Sequence, residues 1–224
     1  MARRGTPSTG ALTAAAAAVP GRRERRKQAT RAALRAAALR LALRHGVENV
    51  TVERIAAEAD IAVRTFFNYF ASKEEAVVAG AAAGAEALIA AFRARPAGES
   101  VLRALRQAVL EVIDQGDAVS REYIRATWLI GRTPSLLPYQ LAVLAAQEKA
   151  LADAIAERLP PGDGHGIYPA LCAATALTAL RVVLARWLEH GTGPDDAPPV
   201  SVLREEVDRA LAELAAGLDR PGSA

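Results

Sequence analysis

The amino-acid sequence predicts an all-α protein, with a small N-terminal unit of three helices and a larger C-terminal helical domain. Ala and Leu dominate a chain that is 51% hydrophobic but only 4% aromatic. These residues, together with Arg and Glu, have high helix propensity. Apolar residues recur at helical spacing between Gly- and Pro-containing breaks, and no segment shows the convincing alternation typical of a strand.

The N-terminal unit begins with a predicted helix over residues 23–45. Leu34, Leu41 and His45 share one face of this helix, and Gly46 ends it, because glycine readily forms a helix C-cap. A short helix follows, predicted over residues 52–59.

The short helix is capped at its start by the hydroxyl of Thr51, and a tight turn at residues 60–62 separates it from another short helix, residues 63–70. A long helix followed by two short ones joined by a turn is a helix-turn-helix arrangement. Its second short helix is the one expected to enter the major groove of DNA.

Four aromatic side chains lie at positions 66–70, although the chain has only four Phe, four Tyr and two Trp. At helical spacing Phe66, Phe67 and Phe70 align with Val63 in one stripe, which predicts that the Phe side chains are mainly core. The remaining arc is polar and is predicted to be exposed: Arg64, Thr65, Asn68 and Tyr69.

The polar arc suits base recognition. Arg64 can donate to O6 and N7 of guanine, Asn68 can pair with N6 and N7 of adenine, and Thr65 can reach a phosphate or a thymine methyl. The alternative is an ordinary solvated surface. Charge favours nucleic acid at this end, because residues 1–70 carry 13 Lys or Arg against 5 Asp or Glu, whereas the remainder carries 15 against 20.

The larger domain is predicted to contain further helices, mostly separated by Gly- or Pro-containing segments. Ser72 caps the first of them. Their predicted bounds are residues 73–94, 100–115, 118–131, 135–158, 167–190 and 201–218.

The composition excludes several classes of protein. A single cysteine, Cys172, excludes an intramolecular disulfide, and three scattered histidines give no metal cluster, so we expect a cytoplasmic protein without metal or cofactor. Residues 1–22, basic and Ala-rich, are predicted to be a disordered tail and not a signal peptide. No membrane span is predicted, because Arg181 and Arg186 interrupt the most apolar stretch, residues 167–189.

Residues 51–77, TVERIAAEADIAVRTFFNYFASKEEAV, resemble the DNA-binding signature of the TetR (tetracycline-repressor-like) transcriptional regulators. The resemblance implies a repressor whose N-terminal domain, residues 23–71, binds a palindromic double-stranded DNA operator. It also implies a C-terminal domain, residues 72–224, that forms a homodimer and binds a small-molecule effector, which releases the protein from DNA.

The matching positions imply a set of DNA-binding residues: Thr51, Val52, Val63, Arg64, Thr65, Asn68, Tyr69 and Lys73. Lys73 stands at a helix N-terminus, where its charge and the backbone N–H groups can bind the same phosphate. Three positions depart from the usual pattern. Asp60 replaces a turn glycine, Ala62 replaces a capping Ser, and Phe67 replaces a phosphate-binding Tyr.

A basic segment precedes the first helix and contains Arg22, Arg23, Arg25 and Arg26. It is interpreted as a DNA-binding arm that can lie in the minor groove, where narrow A·T-rich tracts attract arginine. The alternative is a solvated tail that is attracted to phosphates without sequence preference.

Effector-binding candidates are polar or aromatic residues within the apolar helices between residues 100 and 190: Tyr123, Arg125, Trp128, Tyr139 and Arg181. Ordinary packing or surface exposure is the alternative for each. The stretch EYIRATWLIGRTPSLLPYQLAVLAAQEKALADAIAER resembles mycofactocin-regulator-like members of the family, which implies a hydrophobic or acyl-CoA-like effector.

The dimer interface is expected on the helices of residues 167–190 and 201–218, which carry Leu and Val on more than one face and need another partner. In the family these helices form a four-helix bundle between protomers. The alternative is an internal bundle within a monomer.

Two rival functions are a helical enzyme and a helical interaction protein without DNA binding. The chain has no Walker loop, no metal-spaced histidine pair and no Gly-x-Ser-x-Gly, so we expect no enzymatic activity. The residues at 64, 65, 68 and 73 argue against a helix-turn-helix that no longer binds DNA.

Overall fold

The computed structural model of the chain describes residues 21–116, 120–160, 166–191 and 195–218. Within these residues the regular structure is entirely helical, which confirms the predicted fold class. The helices are α1 (Arg22–His45), α2 (Val52–Glu58), α3 (Val63–Phe66), α4 (Lys73–Ala94), α5 (Val101–Asp114), α6 (Arg121–Arg132), α7 (Leu137–Ala156), α8 (Tyr168–Glu189) and α9 (Val200–Ala216), with 3₁₀ turns at Val47–Asn49 and Pro134–Leu136.

The C-terminal helices α4 to α9 begin and end within three residues of their predicted bounds. Residues 1–20 of the predicted tail lie outside the described residues. The last residue assigned to that tail, Arg22, is already the first residue of α1.

Short-range hydrogen bonds set the helix ends in the N-terminal region. Gly46, at φ +78°, ends α1, and its N–H donates to the carbonyl of Ala42. The hydroxyl of Thr51 accepts from the N–H of Arg54 and caps α2, and the hydroxyl of Ser72 accepts from the N–H of Glu75 and caps α4. These caps were predicted, and the structure confirms them.

One buried cluster, which we call the N-terminal core, holds the helix-turn-helix together. It joins residues of α1, α2, α3 and the start of α4 to residues of α6 and the turn that follows it: Leu34, Leu41, Ile55, Phe66, Phe70, Val77, Ala126, Leu129, Ile130 and Leu136. This core therefore crosses the predicted domain boundary at residue 71. His45, predicted on the buried face of α1, is exposed, because it is the last residue of the helix.

A second buried cluster, the C-terminal core, lies among α4, α5, α7, α8 and α9. It includes Leu88, Phe92, Leu105, Leu151, Ile155, Trp187 and Leu211. The α4 helix contributes to both cores: Val77, near its N-terminus, lies in the N-terminal core, and Phe92, near its C-terminus, lies in the C-terminal core. A rigid helix that spans two cores can carry a displacement from one to the other.

Two of the helices, α4 and α8, are long and apolar enough by composition to cross a membrane. The α4 helix packs against α1, α5, α6 and α7, as the central helix of a helical domain does. The α8 helix packs against α7 and α9, but only 28% of its most apolar window is buried within the protomer. This leaves an apolar face of α8 available to a partner.

Candidate nucleic-acid interface and ligand pocket

The turn between α2 and α3 has the geometry that a helix-turn-helix requires. Asp60 adopts φ +54°, the left-handed conformation that Asp tolerates better than most residues. The N–H of Ile61 then donates to the carbonyl of Ala56 at 2.9 Å. Ala62 begins α3 without any side-chain cap, as its replacement of the usual Ser predicts.

The α3 helix is shorter than predicted and ends at Phe66 instead of residue 70. Beyond it the N–H groups of Asn68 and Tyr69 donate to carbonyls three residues back, at 3.1 and 2.9 Å, so the chain tightens into turns. Tighter winding rotates the later side chains away from the positions that an α-helix would give them.

The three Phe side chains of this segment differ in burial. Phe66 and Phe70 are buried, as predicted, but Phe67 is 56% exposed. Its ring meets that of Phe66 edge-on, with centroids 5.5 Å apart. The prediction that Phe67 belongs to the core is therefore wrong, and a large apolar side chain stands on the outer surface of the recognition segment.

The polar arc of α3 is partly as predicted. Arg64 and Asn68 are exposed, and neither side chain makes an ion pair or side-chain hydrogen bond to any described residue. Thr65 and Val63 are half-buried. Tyr69 is also half-buried and packs against the N-terminal core, so it is less exposed than predicted.

At the start of α2, Thr51 is exposed while its hydroxyl caps the helix. Val52 is half-buried against the N-terminal core. Thr51 is thus fully presented to a ligand outside the domain, and Val52 only in part.

Lys73 occupies the N-terminus of α4, but its ammonium points into the protein. Nζ donates to the carbonyls of Val47, Glu48 and Val50 at 3.0, 3.3 and 2.9 Å. The side chain is only 21% exposed. The three hydrogen bonds use the three donors of the ammonium, so in this structure Lys73 clamps the segment between α1 and α2 onto α4 and has no donor left for a phosphate.

The four N-terminal arginines do not form an arm ahead of the first helix. Arg22, Arg23, Arg25 and Arg26 all lie in the first turns of α1 and are exposed. Good helix formers run without interruption from this segment into the body of α1, so the helix continues through it.

A cavity of about 160 Å³ lies among α4, α5, α6, α7, α8 and α9. Its wall is mainly aliphatic. Among the polar residues of the wall are Tyr123 and Thr127 of α6, Gln140 and Gln147 of α7, and Arg181 of α8.

Two of the five predicted effector-binding residues, Tyr123 and Arg181, line this cavity, and three do not. Arg125 is bound to Asp195, with Nη2 2.6 Å from the carboxylate. Trp128 and Tyr139 pack against the N-terminal core. Helical periodicity separates buried from exposed positions, but α6 has two different neighbours and the sequence does not say which face meets which.

Three polar residues of the wall, Thr127, Gln140 and Gln147, were not predicted. Gln140 and Gln147 are seven residues apart and so share one face of α7, and Thr127 follows Tyr123 by one turn of α6. This spacing of neutral polar residues within apolar stretches was a usable signal.

The cavity wall is connected directly to the helix-turn-helix. Glu122, next to Tyr123, accepts a hydrogen bond from Nε of Arg35 in α1 at 2.9 Å. In α4, Gly84 lies under the Tyr123 ring, so closely that a Cβ at Gly84 would come within 2.9 Å of it. The same turn of α6 thus contacts the cavity, α1 and α4.

Comparison with known proteins agrees with this architecture. Residues 34–79 match the family model described as bacterial regulatory proteins of the tetR family, and residues 99–219 match the MftR C-terminal domain. The chain belongs to the TetR family.

A relative from Streptomyces glaucescens, the HTH-type transcriptional regulator TcmR, is 35% identical over 211 residues, covering 91% of this chain and 92% of TcmR. The MftR match confirms the resemblance to mycofactocin-regulator-like members. The chain is therefore a TetR-family transcriptional regulator with a helix-turn-helix and a ligand-binding type of C-terminal domain.

Solved structures of other regulators share the fold. The fatty acid degradation regulator FadR from Bacillus halodurans is 17% identical, with a TM-score of 0.55 over 86% of this chain and 97% of its own. SmeT, the repressor of the Stenotrophomonas maltophilia multidrug efflux pump SmeDEF, is 20% identical, with a TM-score of 0.54 over 88% and 96%. Thermus thermophilus FadR, solved in complex with lauroyl-CoA, is 22% identical, with a TM-score of 0.50 over 86% and 97%.

Proposed function

We propose that this TetR-family regulator is a cytoplasmic repressor without enzymatic activity, which binds a palindromic operator as a homodimer and is released by a small-molecule effector. The observation that carries this proposal is the exposed pair Arg64 and Asn68 on the recognition segment, free of partners among the described residues. A buried N-terminal core holds the segment in place.

The DNA interface consists of Thr51, Arg64, Thr65 and Asn68, with Val52, Val63 and Tyr69 shaping the surface from their half-buried positions. The arginines at the start of α1 add positive charge beside it. Because they are helical, we propose that they contact phosphates of the flanking DNA and do not enter the minor groove as an extended arm.

A gel-shift titration with the DNA upstream of the chain's own coding sequence, at 50 and 200 mM salt, tests this interface. We expect a specific complex whose affinity falls steeply with salt. Arg64→Ala should weaken operator binding by about 1–3 kcal/mol and relax the preference for guanine at one position of each half-site. Arg103→Ala, an exposed arginine of α5, serves as the matched control. Equal losses of operator affinity in the two variants would contradict the assignment of Arg64 to the DNA interface.

Phe67 adds an apolar contact to this interface. An exposed Phe beside Arg64 and Asn68 suits the 5-methyl group of thymine, which is the apolar feature of the major groove. Replacing single thymines of the operator by deoxyuridine removes that methyl. At one position this replacement should lower the operator affinity of the native protein but not that of the Phe67→Ala variant. If the two proteins lose affinity in parallel at every position, Phe67 does not contact a thymine methyl.

The homodimer is proposed to form through α8 and α9. The α8 helix exposes Leu171 at 59% and Val182 at 47%, and α9 exposes Val202 at 40%. Leu171, Val182 and Ala185 lie on one stripe of α8, so two such faces can pack about a two-fold axis. Val207 and Leu211, by contrast, are buried within the protomer.

Light scattering at micromolar concentration tests the dimer. The native chain should have the mass of two protomers, and Val182→Glu should shift it towards one. Ala90→Glu, on an exposed position of α4, is the control and should leave the mass unchanged. A monomeric native chain would exclude a pre-formed dimer.

A further inference from the structure

The Thr127 hydroxyl is a buried polar group that lacks a partner. Its Oγ1 is inaccessible to solvent and accepts or donates no hydrogen bond of normal geometry to the described residues. A buried polar atom of this kind destabilises the protein unless something binds it. Thr127 lines the cavity, so a molecule in the cavity can supply the missing hydrogen bond.

The Tyr123 side chain stands beside this hydroxyl. Burial raises the pKa of Tyr123, and a contact with the Thr127 hydroxyl that falls outside normal hydrogen-bond geometry lowers it by less. The phenol is therefore neutral at physiological pH and can donate one hydrogen bond as well as accept one. Together the two hydroxyls form a neutral pair of hydrogen-bonding groups one turn apart on α6.

The remainder of the wall offers little to a charged ligand. Gln140 and Gln147 are neutral, and Arg181, which is exposed, is the charged residue among those that line the cavity. A negatively charged ligand would be desolvated by a mainly aliphatic wall that offers it one cation, which is costly. The several phosphates of an acyl-CoA would likewise meet one cation.

The size of the cavity suits a small ligand. A volume of about 160 Å³ is close to that of an apolar protein cavity of about 150 Å³ that admits benzene. A molecule with one or two fused rings, or an aliphatic molecule of similar bulk, matches this space.

We propose that the effector is a compact, mainly apolar, uncharged molecule whose carbonyl or hydroxyl oxygen hydrogen-bonds to the Tyr123–Thr127 pair. This inference rests on the proposed effector-responsive function and names its ligand class. The pair determines specificity, because it is the polar feature at the point where α6 also touches α1 through Glu122 and α4 through Gly84. Binding there acts directly on the contacts that hold the helix-turn-helix.

Three probes of similar size test the class, and lauroyl-CoA tests the alternative. The full-length protein is titrated with naphthalene, 2-naphthol and 2-naphthoate by calorimetry, and operator release is followed by gel shift. We expect 2-naphthol to bind about fivefold or more tightly than naphthalene, the gain from one satisfied hydrogen bond. We expect 2-naphthoate to bind no more tightly than naphthalene.

Substitutions assign the effect to the pair. Thr127→Val keeps the shape and removes the hydroxyl, so it should bring the 2-naphthol affinity down to that of naphthalene. Tyr123→Phe should also reduce the difference in affinity between 2-naphthol and naphthalene. Ser100→Ala, which removes an exposed hydroxyl just before α5 and outside the cavity wall, should leave the preference intact.

The possible failures are distinguishable. A preference for 2-naphthol that survives Thr127→Val and Tyr123→Phe, tight binding of lauroyl-CoA alone, or no binding of any naphthalene probe overturns the ligand class. In each of these cases the ligand-free protein still binds its operator. Absence of operator binding by the ligand-free protein overturns the proposed function instead.

Discussion

Substituting Lys73 distinguishes a structural clamp from a phosphate contact. Its ammonium donates to three backbone carbonyls, at 3.0, 3.3 and 2.9 Å, and the side chain is 21% exposed. Hydrogen bonds to a charged group contribute more than neutral ones, but partial exposure allows water to replace part of the loss. We therefore expect Lys73→Met to destabilise the protein by about 2 kcal/mol.

For a chain of this length, a loss of 2 kcal/mol lowers Tm by about 4–8 °C. Thermal unfolding followed by circular dichroism at a fixed protein concentration measures the shift. Lys149→Met is the matched control, because Lys149 is 76% exposed and pairs with Asp153 one turn away. That substitution should cost less than about 0.5 kcal/mol.

Operator binding provides the second readout. If Lys73 is a clamp, Lys73→Met lowers affinity at every salt concentration, because the segment before α2 is less well held, and the slope of log K against log salt stays the same. If Lys73 binds a phosphate, the slope changes by about 0.9 for each lost contact. An altered slope with an unchanged Tm would refute the clamp.

The remaining predictions concern the contact between α4 and α6 and the end of α4. Gly84→Ala should destabilise the protein by about 1–3 kcal/mol in denaturant unfolding, because the new Cβ lies 2.9 Å from the Tyr123 ring. Gly98→Ala, where a Cβ meets nothing within 4 Å, should not produce this loss. A hydrogen bond from Arg95 holds the pKa of Glu99 below its usual value. The stability that Glu99 contributes is therefore lost as pH falls through this lowered pKa, and Glu99→Gln should flatten the acid limb of a stability-against-pH curve; an unchanged limb would contradict it.

Much of the fold could be predicted from the sequence, because local signals mark the helices. Gly46, Thr51 and Ser72 end or begin helices through hydrogen bonds made within four residues, and those bonds are present. Apolar spacing then identified buried positions such as Phe66 and Phe70.

The failures in the recognition segment have a physical cause. The prediction assumed that an α-helix continues to residue 70, but the hydrogen bonds shorten to three-residue spacing after Phe66. The buried face was also placed wrongly: it is centred on Phe66 and Phe70 and extends to Tyr69, which leaves Phe67 outside it. The hydrogen bonds of Lys73 could not be predicted for a different reason. Its acceptors are carbonyls 23 to 26 residues away, and backbone acceptors leave no trace in side-chain identity.

The cavity was only half predictable. Tyr123 and Trp128 lie five residues apart on α6, so they point in different directions, one into the cavity and the other towards the N-terminal core. Periodicity identifies both as inward-facing. Only the packing of α6 between two cores determines which of them meets the effector.

The composition of the N-terminal core limits how the domains of this protein can be exchanged with those of other regulators. The core includes four residues from the C-terminal part of the chain: Ala126, Leu129, Ile130 and Leu136. The DNA-reading end looks modular in sequence, yet a piece ending at residue 71 would leave open the apolar wall that these four residues cover. A chimera that grafts this helix-turn-helix onto another regulator must therefore carry α6 and the turn after it, or a redesigned substitute. The part of this chain that can be exchanged as a whole is built from segments distant in sequence, so a chimera with a single junction cannot transfer it.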